Sequence, residues 1–468
     1  MADILKDINE GYADKYGFKT DARYEAMIKG ISEENVIAIS KLKKEPEWML
    51  EKRLAGFKAF VSKPTPRWGT RSLDDIDYSS IYTYLKPKAR EATNWDDVPK
   101  EIKDTFEKLG VPESERKFFA GAEAQFDSEA VYSSVKKELE KLGVIFTDTD
   151  TAVKKYPDIV KKYFGTIVPP LDNKFAALNT AVWSGGSFIY VPKGVKVTLP
   201  LQAYFRINAE SAGQFERTLI IADEGSEVTY LEGCTAPIYS STSLHSAVVE
   251  IYVAKDAHVR YITIQNWSKN VYNLVTQRAH VKENGHMEWV DFNIGSKLNM
   301  KYPSVFLMEP RAKGDILSVA VASANQVQDS GGKAYHLAPE TVSKIVSKSI
   351  SIGNGETTYR GLVHIAKNAE NSISSTQCDA MMVDDASKTN TFPYTDIKNE
   401  TSTLSHEASV GRIGQEQLVY LESRGIKEED AKALILLGFI QPLTEVIPLE
   451  YSIELSRLIR LELQNAVG

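Results

Sequence analysis

Across residues 173–412 apolar and polar residues alternate in short runs, as in Val195-Lys196-Val197, Val228-Thr229-Tyr230, Val259-Arg260-Tyr261, Met287-Glu288-Trp289 and Ile316-Leu317-Ser318-Val319. Period-two alternation of β-branched and aromatic residues marks strands with one face buried. Each run follows a small residue at a polar corner, at Gly194, Gly225, Ala257, Gly285, Gly314, Thr341, Ala369 and Thr401, and the intervals between corners are 27 to 32 residues. A unit of this size cannot bury its apolar face alone. Repetition therefore predicts stacked strands, a mainly β solenoid of about eight rungs of the parallel β-helix type, in preference to an antiparallel sandwich whose spacing is coincidental.

The alternation stops on both sides. Residues 1–172 predict a mostly helical region, with Asp21 as a cap, Ser32 opening one helix and Pro46 starting another; a proline-containing connector over 64–99 precedes helical stretches at 101–109 and 128–142. Residues 413–468 predict helices over 415–424, closed by Gly425, over 427–437, closed by Gly438, and over 449–467, after Pro448. The middle one ends in the apolar stretch from Leu434 to Phe439, which either packs on its neighbours or forms a docking surface. Three regions follow, 1–172, 173–412 and 413–468.

Composition narrows the function more than the fold. With 43% apolar and 25% charged residues in 468, the chain reads as globular throughout. Its 56 basic and 63 acidic residues give −7, with no basic block to track a phosphate backbone, so no nucleic-acid partner is expected. Neither a signal core at Met1-Ala2-Asp3-Ile4 nor an apolar run of the ~20 residues that span a bilayer is present, which leads us to expect a cytoplasmic chain without a membrane partner. Phosphate-loop, nucleophile-elbow and dinucleotide motifs are absent, so the chain is not expected to be an enzyme or to hydrolyse ATP itself. A polysaccharide-acting β-helix would need grouped carboxylates on adjacent rungs, and the sequence offers none that is evident.

Two cysteines, Cys234 and Cys378, are too few for a disulfide framework; in a reducing compartment each is a packed thiol or a ligand. Both lie nine residues after a corner, Gly225 and Ala369, which predicts a shared phase. Five rungs separate them, ~24 Å at the strand spacing of ~4.8 Å, too far for a disulfide or a shared metal ion. Cys378, within Ser375-Thr376-Gln377-Cys378-Asp379, lies about one rung before Ser405-His406-Glu407. A thiolate with an imidazole and a carboxylate makes an open, exchangeable metal site; the alternative is a buried inert thiol beside a satisfied histidine.

Longer strings then point to a family. Gly121-Ala122-Glu123-Ala124-Gln125-Phe126-Asp127-Ser128, Asn173-Lys174-Phe175-Ala176-Ala177-Leu178-Asn179, Ala181-Val182-Trp183-Ser184-Gly185-Gly186-Ser187-Phe188, Gln214-Phe215-Glu216-Arg217-Thr218-Leu219, Glu232-Gly233-Cys234, Tyr359-Arg360-Gly361-Leu362-Val363 and Thr376-Gln377-Cys378-Asp379 resemble the SufB family, scaffold subunits for iron–sulfur cluster assembly in the Suf system. The resemblance runs over essentially the whole chain. It implies a right-handed parallel β-helix between helical regions and a transiently bound iron–sulfur cluster, whose type is open. The implied partners are the ABC-type ATPase SufC, the paralogue SufD or a second copy, a cysteine desulfurase or other sulfur donor, and apo iron–sulfur proteins. A flavin is compatible with the family but has no support in the sequence.

By the same resemblance, Cys378 is the cluster-holding thiolate, Glu407 its carboxylate partner, His406 the neighbouring imidazole, and Cys234 the acceptor of persulfide sulfur. Arg206 with Asn208, and Gln265 with Trp267, match positions on a sulfur route, although i, i+2 spacing equally allows Phe205 and Ile207 to take the interior. Leu434, Leu437 and Phe439 match the ATPase-docking helices. Ser405 stands where relatives are often acidic, Gln277 where they are often basic, and the N-terminal cysteine cluster of many relatives is missing. A SufD-like structural subunit is the alternative function.

Overall fold

The computed structural model describes residues 16–89, 92, 94–108 and 119–467. From residue 187 onward the chain alternates between two facing parallel sheets, giving one strand or strand pair to each per turn, and so builds a β-solenoid of about eight turns. Sheet 1 stacks Gly121–Phe126, Leu201–Arg206, Glu227–Thr235, His258–Trp267, His286–Gly295, Lys313–Ala322, Val342–Ser351, Ile373–Met382 and Thr403–Arg412. Sheet 2 includes Ser187–Val191, Arg217–Ala222, Val248–Val253, Val271–Val281, Glu356–Ile365 and Lys388–Ile397. Seven of the eight corners read from the sequence precede a strand of sheet 1; Gly314 is instead the second residue of Lys313–Ala322, whose turn lies at Arg311.

The corners work because the backbone there turns left-handed. Gly194, Gly225, Asp256, Asn284, Arg311, Glu340 and Asn371 have φ of 74°, 63°, 56°, 53°, 61°, 57° and 55°. Gly, Asn and Asp tolerate that region best, which is why they punctuate the repeat. Inside, Val228, Tyr230, Val259, Tyr261, Met287, Trp289, Ile316 and Ile345 of sheet 1 meet Val249, Ile251, Ala279, Val281, Val363 and Ile365 of sheet 2.

Both outer faces are covered in part. Helix α1 (Glu33–Lys43), capped by Ser32 as expected, α2 (Glu47–Ser62) and α3 (Lys174–Val182) lay Val36, Ile39, Phe60 and Leu178 on Tyr272 and Leu274 of sheet 2. Helices α4 (Glu428–Thr444) and α5 (Leu449–Val467) bury Leu436, Ile440, Leu455, Leu458 and Ile459 on Leu231, Ile262, Val290, Phe292 and Val319 of sheet 1. Glu250 of sheet 2 accepts from Arg217 at 2.6 Å and from the backbone N–H groups of Gly165, Ile167 and Val168 at 2.9 Å each, fastening the preceding loop to the solenoid.

Several flanking expectations change. Residues 1–15 lie outside the described residues, and Asp21 caps no helix, because Tyr24–Lys29 pairs with Tyr82–Pro87 as a strand. Pro46 is the N-cap of α2 and lies just outside it. The helix expected over 128–142 is a strand, Glu129–Val135, followed by the short helix Lys137–Lys141; Val131 and Tyr132 side by side suit a half-buried strand. Gly438 lies inside α4, which runs on past Pro442, because the apolar face from Ala433 to Leu443 is held on sheet 1. Gly121–Phe126 is already the first parallel rung of sheet 1, so the solenoid starts before residue 173.

The two ends differ. Antiparallel strands close the first end, Glu129–Val135 on sheet 1 and Ile145–Asp148 on sheet 2. At the other end Thr403–Arg412 and Lys388–Ile397 each pair on one side only, and Phe392, Tyr394, Ile397 and Val410 are exposed there.

Candidate functional site

Strand register places the two thiols. In sheet 1 the inward column of Cys234 continues through Gln265, Asn293, Ala320 and Ser349 to Ala380. The neighbouring column runs Glu232, Thr263, Asp291, Ser318, Ser347, Cys378 and Ala408. Cys234 and Cys378 therefore share the interior face and are five rungs apart, as counted from the sequence, but lie two residues out of register. The corner explains it: Gly225 is two residues before its strand starts at Glu227, whereas Ala369 is four before Ile373.

At the open end Cys378 is 5% exposed, and its sulfur lies 3.4 Å from His406 Nε2. The thiol also points at the Glu407 carbonyl oxygen, 3.6 Å away. His406 sits opposite Thr376 and Glu407 opposite Gln377, so alternation sends the His406 ring inward and the Glu407 carboxylate out. The structure thus brings Cys378 and His406 together and sets the Glu407 side chain, like Ser405, on the exposed face. Burial and the Asp379 charge push the Cys378 thiol up to about 11. Asp379 itself is held by Ser409, Gln377 and, at 3.5 Å, Lys348. The space beside His406, lined by Tyr359, Val363, Thr376 and Leu404, measures only ≈ 10 Å³, room for about one water molecule. Anything larger must sit at the mouth.

Cys234 is 1% exposed and donates to Glu232 Oε1 at 3.5 Å, while Tyr261 donates to Glu232 Oε2 at 2.6 Å. Burial, then the charges of Glu232 and Glu216, raise its thiol well above the ordinary range; Lys301 opposes them. Around it the interior is polar. His245 bridges Glu216 at 2.8 Å and Asn273 at 2.5 Å, and Asn273 donates to Gln265 and Asn299, both at 2.6 Å. Further toward Cys378, Lys301 pairs with Asp291 at 3.0 Å and donates to Thr263 at 2.7 Å, with every side chain of the pair at most 1% exposed. A seam of buried polar groups therefore leads from Cys234 toward Cys378 between walls of apolar side chains.

The four residues expected on a sulfur route divide. Gln265, beside Cys234 in register, and Trp267, whose ring lies 4.6 Å from that of His245, face this interior. Arg206 and Asn208 do not, because Phe205 and Ile207 take the inward positions. On the outer face Arg206 donates to the carbonyls of Tyr16 and Phe18 at 2.9 and 2.7 Å, and Asn208 exchanges hydrogen bonds with the backbone of Thr20. Both are buried under that N-terminal segment, neither solvent-exposed nor lumenal. Of the apolar positions on α4, Leu434 is 44% exposed, whereas Leu437 and Phe439 are half-buried against sheet 1, with Lys348 Nζ 4.3 Å from the Phe439 ring centre.

Glu216, Glu232, His245, Asp291 and Lys301 did not stand out in the sequence. For Glu232 and Asp291 the signal is an acidic residue two places after an inward aromatic, in Tyr230-Leu231-Glu232 and Trp289-Val290-Asp291, and it is recognisable only once inward positions are fixed; Glu216, His245 and Lys301 carry no such signal.

The open end of this parallel β-solenoid thus carries a thiol beside an imidazole, two donor types that suit soft and borderline metal ions. The family described as "SUF system FeS cluster assembly, SufBD core domain" matches residues 205–439, and "SufBD protein N-terminal region" matches 34–203. An iron–sulfur cluster assembly SufBD family protein of Staphylococcus epidermidis is 55% identical over 455 residues, covering 97% of this chain and 98% of its own length. Proteins of the same description from Staphylococcus haemolyticus and Staphylococcus aureus are each 54% identical over 455 residues, with the same coverage. The chain belongs to the SufBD family of iron–sulfur cluster assembly proteins. Among the described residues no helix is long and apolar enough to cross a membrane.

Proposed function

We propose that the chain is the SufB-type member of its family, a scaffold on which iron and persulfide sulfur are joined into a cluster that is then passed to apo proteins. The observation that carries this reading is the 3.4 Å approach of Cys378 Sγ to His406 Nε2 at the uncapped end of the solenoid. Two protein ligands leave an iron–sulfur species undersaturated, so the remaining ligands come from small thiols, from a second chain facing the open end, or from Glu407 if its carboxylate turns over the free edge of the strand. Incomplete ligation suits a cluster that must leave.

Cys234 accepts sulfur from a cysteine desulfurase or a carrier: its thiolate attacks the outer sulfur of the donor persulfide, forming Cys234–S–SH and releasing the donor thiolate. Glu232 is placed to take the thiol proton. Gln265 and Trp267 line the way onward, while Arg206 and Asn208 serve by holding the N-terminal segment. Energy enters through a partner ATPase of the SufC type docked on the C-terminal helices, with Leu434 as the exposed contact, and a SufD paralogue or a second copy completes the assembly. On this reading the chain itself catalyses no hydrolysis, works in the cytoplasm and needs no flavin.

Anaerobic reconstitution with iron and sulfide, read by absorption and Mössbauer spectra, tests the proposal. Cluster yield should fall to background in Cys378→Ala and persist in Cys234→Ala supplied with free sulfide. An unchanged yield in Cys378→Ala removes that residue from the site and favours the SufD-like reading, in which the chain positions the ATPase without holding metal.

A further inference from the structure

Outside the solenoid, on the half of sheet 1 that the C-terminal helices leave uncovered, two imidazoles stand on adjacent rungs. His258 and His286 are register partners, and their rings are parallel within 7° with centroids 4.9 Å apart, the strand spacing itself. Glu288, two residues along from His286 on the same face, brings Oε1 to 2.5 Å from His258 Nε2. One ligand atom from each of the three lies within 4.8 Å of the other two. We propose that His258, His286 and Glu288 form an external binding site for a divalent transition-metal ion of the iron or zinc class, separate from the thiol chemistry of the interior.

Three features distinguish this group from the charge ladders elsewhere on the corners, such as Lys255, Glu283 and Arg311. The donor set is two imidazoles and one carboxylate, which first-row ions of this class accept with positions left for water or exchange. Asp315 hydrogen-bonds His286 Nε2 at 3.0 Å, which leaves His286 Nδ1 for the ion, and the Glu227 carboxylate lies near His258 Nδ1 at 3.7 Å, beyond hydrogen-bond length. Carboxylates that grip the far nitrogen of a ligating imidazole fix its tautomer and raise its basicity. Glu288 already accepts from Arg260 Nε and NH2 at 2.9 to 3.1 Å, yet a carboxylate has about four lone-pair sites and can keep the arginine while offering one oxygen to a metal.

Binding would replace the His258–Glu288 hydrogen bond by two metal bonds. Ligand atoms around a four-coordinate ion of this kind lie ~3.3 to 3.5 Å apart, so small side-chain rotations close the site. The side chains of His258 and His286 are 31% and 29% exposed, open enough for an ion to enter directly from solvent. Because this site lies on the opposite face of the sheet from Cys234 and Cys378, it stands or falls independently of the scaffold reading.

Metal-free full-length protein titrated with Co²⁺, followed by visible d–d absorption, and with Fe²⁺ under anaerobic conditions, tests the assignment. A His258→Gln/His286→Gln variant should lose one equivalent of bound ion or bind it at least about tenfold more weakly, whereas Cys378→Ser should keep that equivalent and lose only thiolate-to-metal charge-transfer bands. Glu288→Gln, nearly isosteric, provides a second variant should the double change disturb folding, and cluster yield in each variant is read separately. Unchanged stoichiometry and affinity in the histidine and Glu288 variants, or no binding left in Cys378→Ser, overturns the proposal.

Discussion

Replacing Lys301 by methionine removes the cation from the middle of the polar seam and keeps most of the side-chain volume. Lys301 Nζ is 3.0 Å from Asp291 Oδ1, both side chains are at most 1% exposed, and the carboxylate's other oxygen has no hydrogen-bond partner among the described residues. At an effective dielectric of ~20, opposite charges at that separation attract by about 5 kcal/mol, and breaking a buried pair from one side typically costs about 3–5 kcal/mol because the remaining charge is stranded. Lys301→Met should therefore destabilise by about 3–5 kcal/mol, while Lys301→Met/Asp291→Leu, which removes both charges, should recover most of that loss. The assay is a double-mutant cycle on urea unfolding, followed in parallel by tryptophan fluorescence and far-UV circular dichroism so that two-state behaviour is checked. A coupling energy below ~0.5 kcal/mol would refute the reasoning, since contacts that weak are indistinguishable from independent sites. The same substitution has a chemical readout. Lys301 opposes the burial and the Glu232 and Glu216 charges that raise the Cys234 thiol, so its loss should push that thiol further up and slow persulfide uptake at fixed pH.

Two further outcomes can be checked on the isolated chain. His406→Ala should weaken iron binding at Cys378 by about tenfold or more, whereas Glu407→Ala should leave it within about twofold, because only the imidazole shares the thiol's face; equal losses in equilibrium iron titrations would contradict the register. Acid should also loosen the fold through His336, which burial pushes from 6.5 down to about 4. Below pH 6.5 the unfolded chain takes up a proton that the folded ring refuses, so stability falls from there to about pH 4, by up to about 3 kcal/mol from this residue. His336→Gln should flatten that part of a stability–pH curve, and an unchanged slope rules His336 out as its source.

The architecture was legible because it is periodic. Alternation and corner residues identify the rungs, and both depend on local backbone rules that act the same way in every turn. Register was only partly legible, since the left-handed residue stands two places before the strand in both turns, at Gly225 before Glu227 and at Asn371 before Ile373, and Ala369, the small residue picked out by the sequence, is not the counterpart of Gly225. The flanks were harder. Glu129–Val135 contains residues that a short helix accommodates, and its strand is decided by pairing with Gly121–Phe126, a neighbour that local propensity does not reveal. Similarly, Arg206 could be assigned an i, i+2 face but not the segment around Tyr16 and Phe18 that covers it. At the candidate site the chemistry of Cys378 and His406 was readable from residue type, and the outward turn of Glu407 follows from strand alternation once its pairing with Gln377 is known.

From His258 on, every strand of sheet 1 is ten residues long, yet they begin at 258, 286, 313, 342, 373 and 403, at unequal intervals. Variation in length is thus confined to what lies between these strands. Insertions and deletions of a residue or two can be absorbed outside the strand without changing which side chains look inward. The polar seam is in this sense insulated from the drift of the surface: loop length is free to diverge, while the order of chemical groups along the lumen is rewritten only by substitution within a strand.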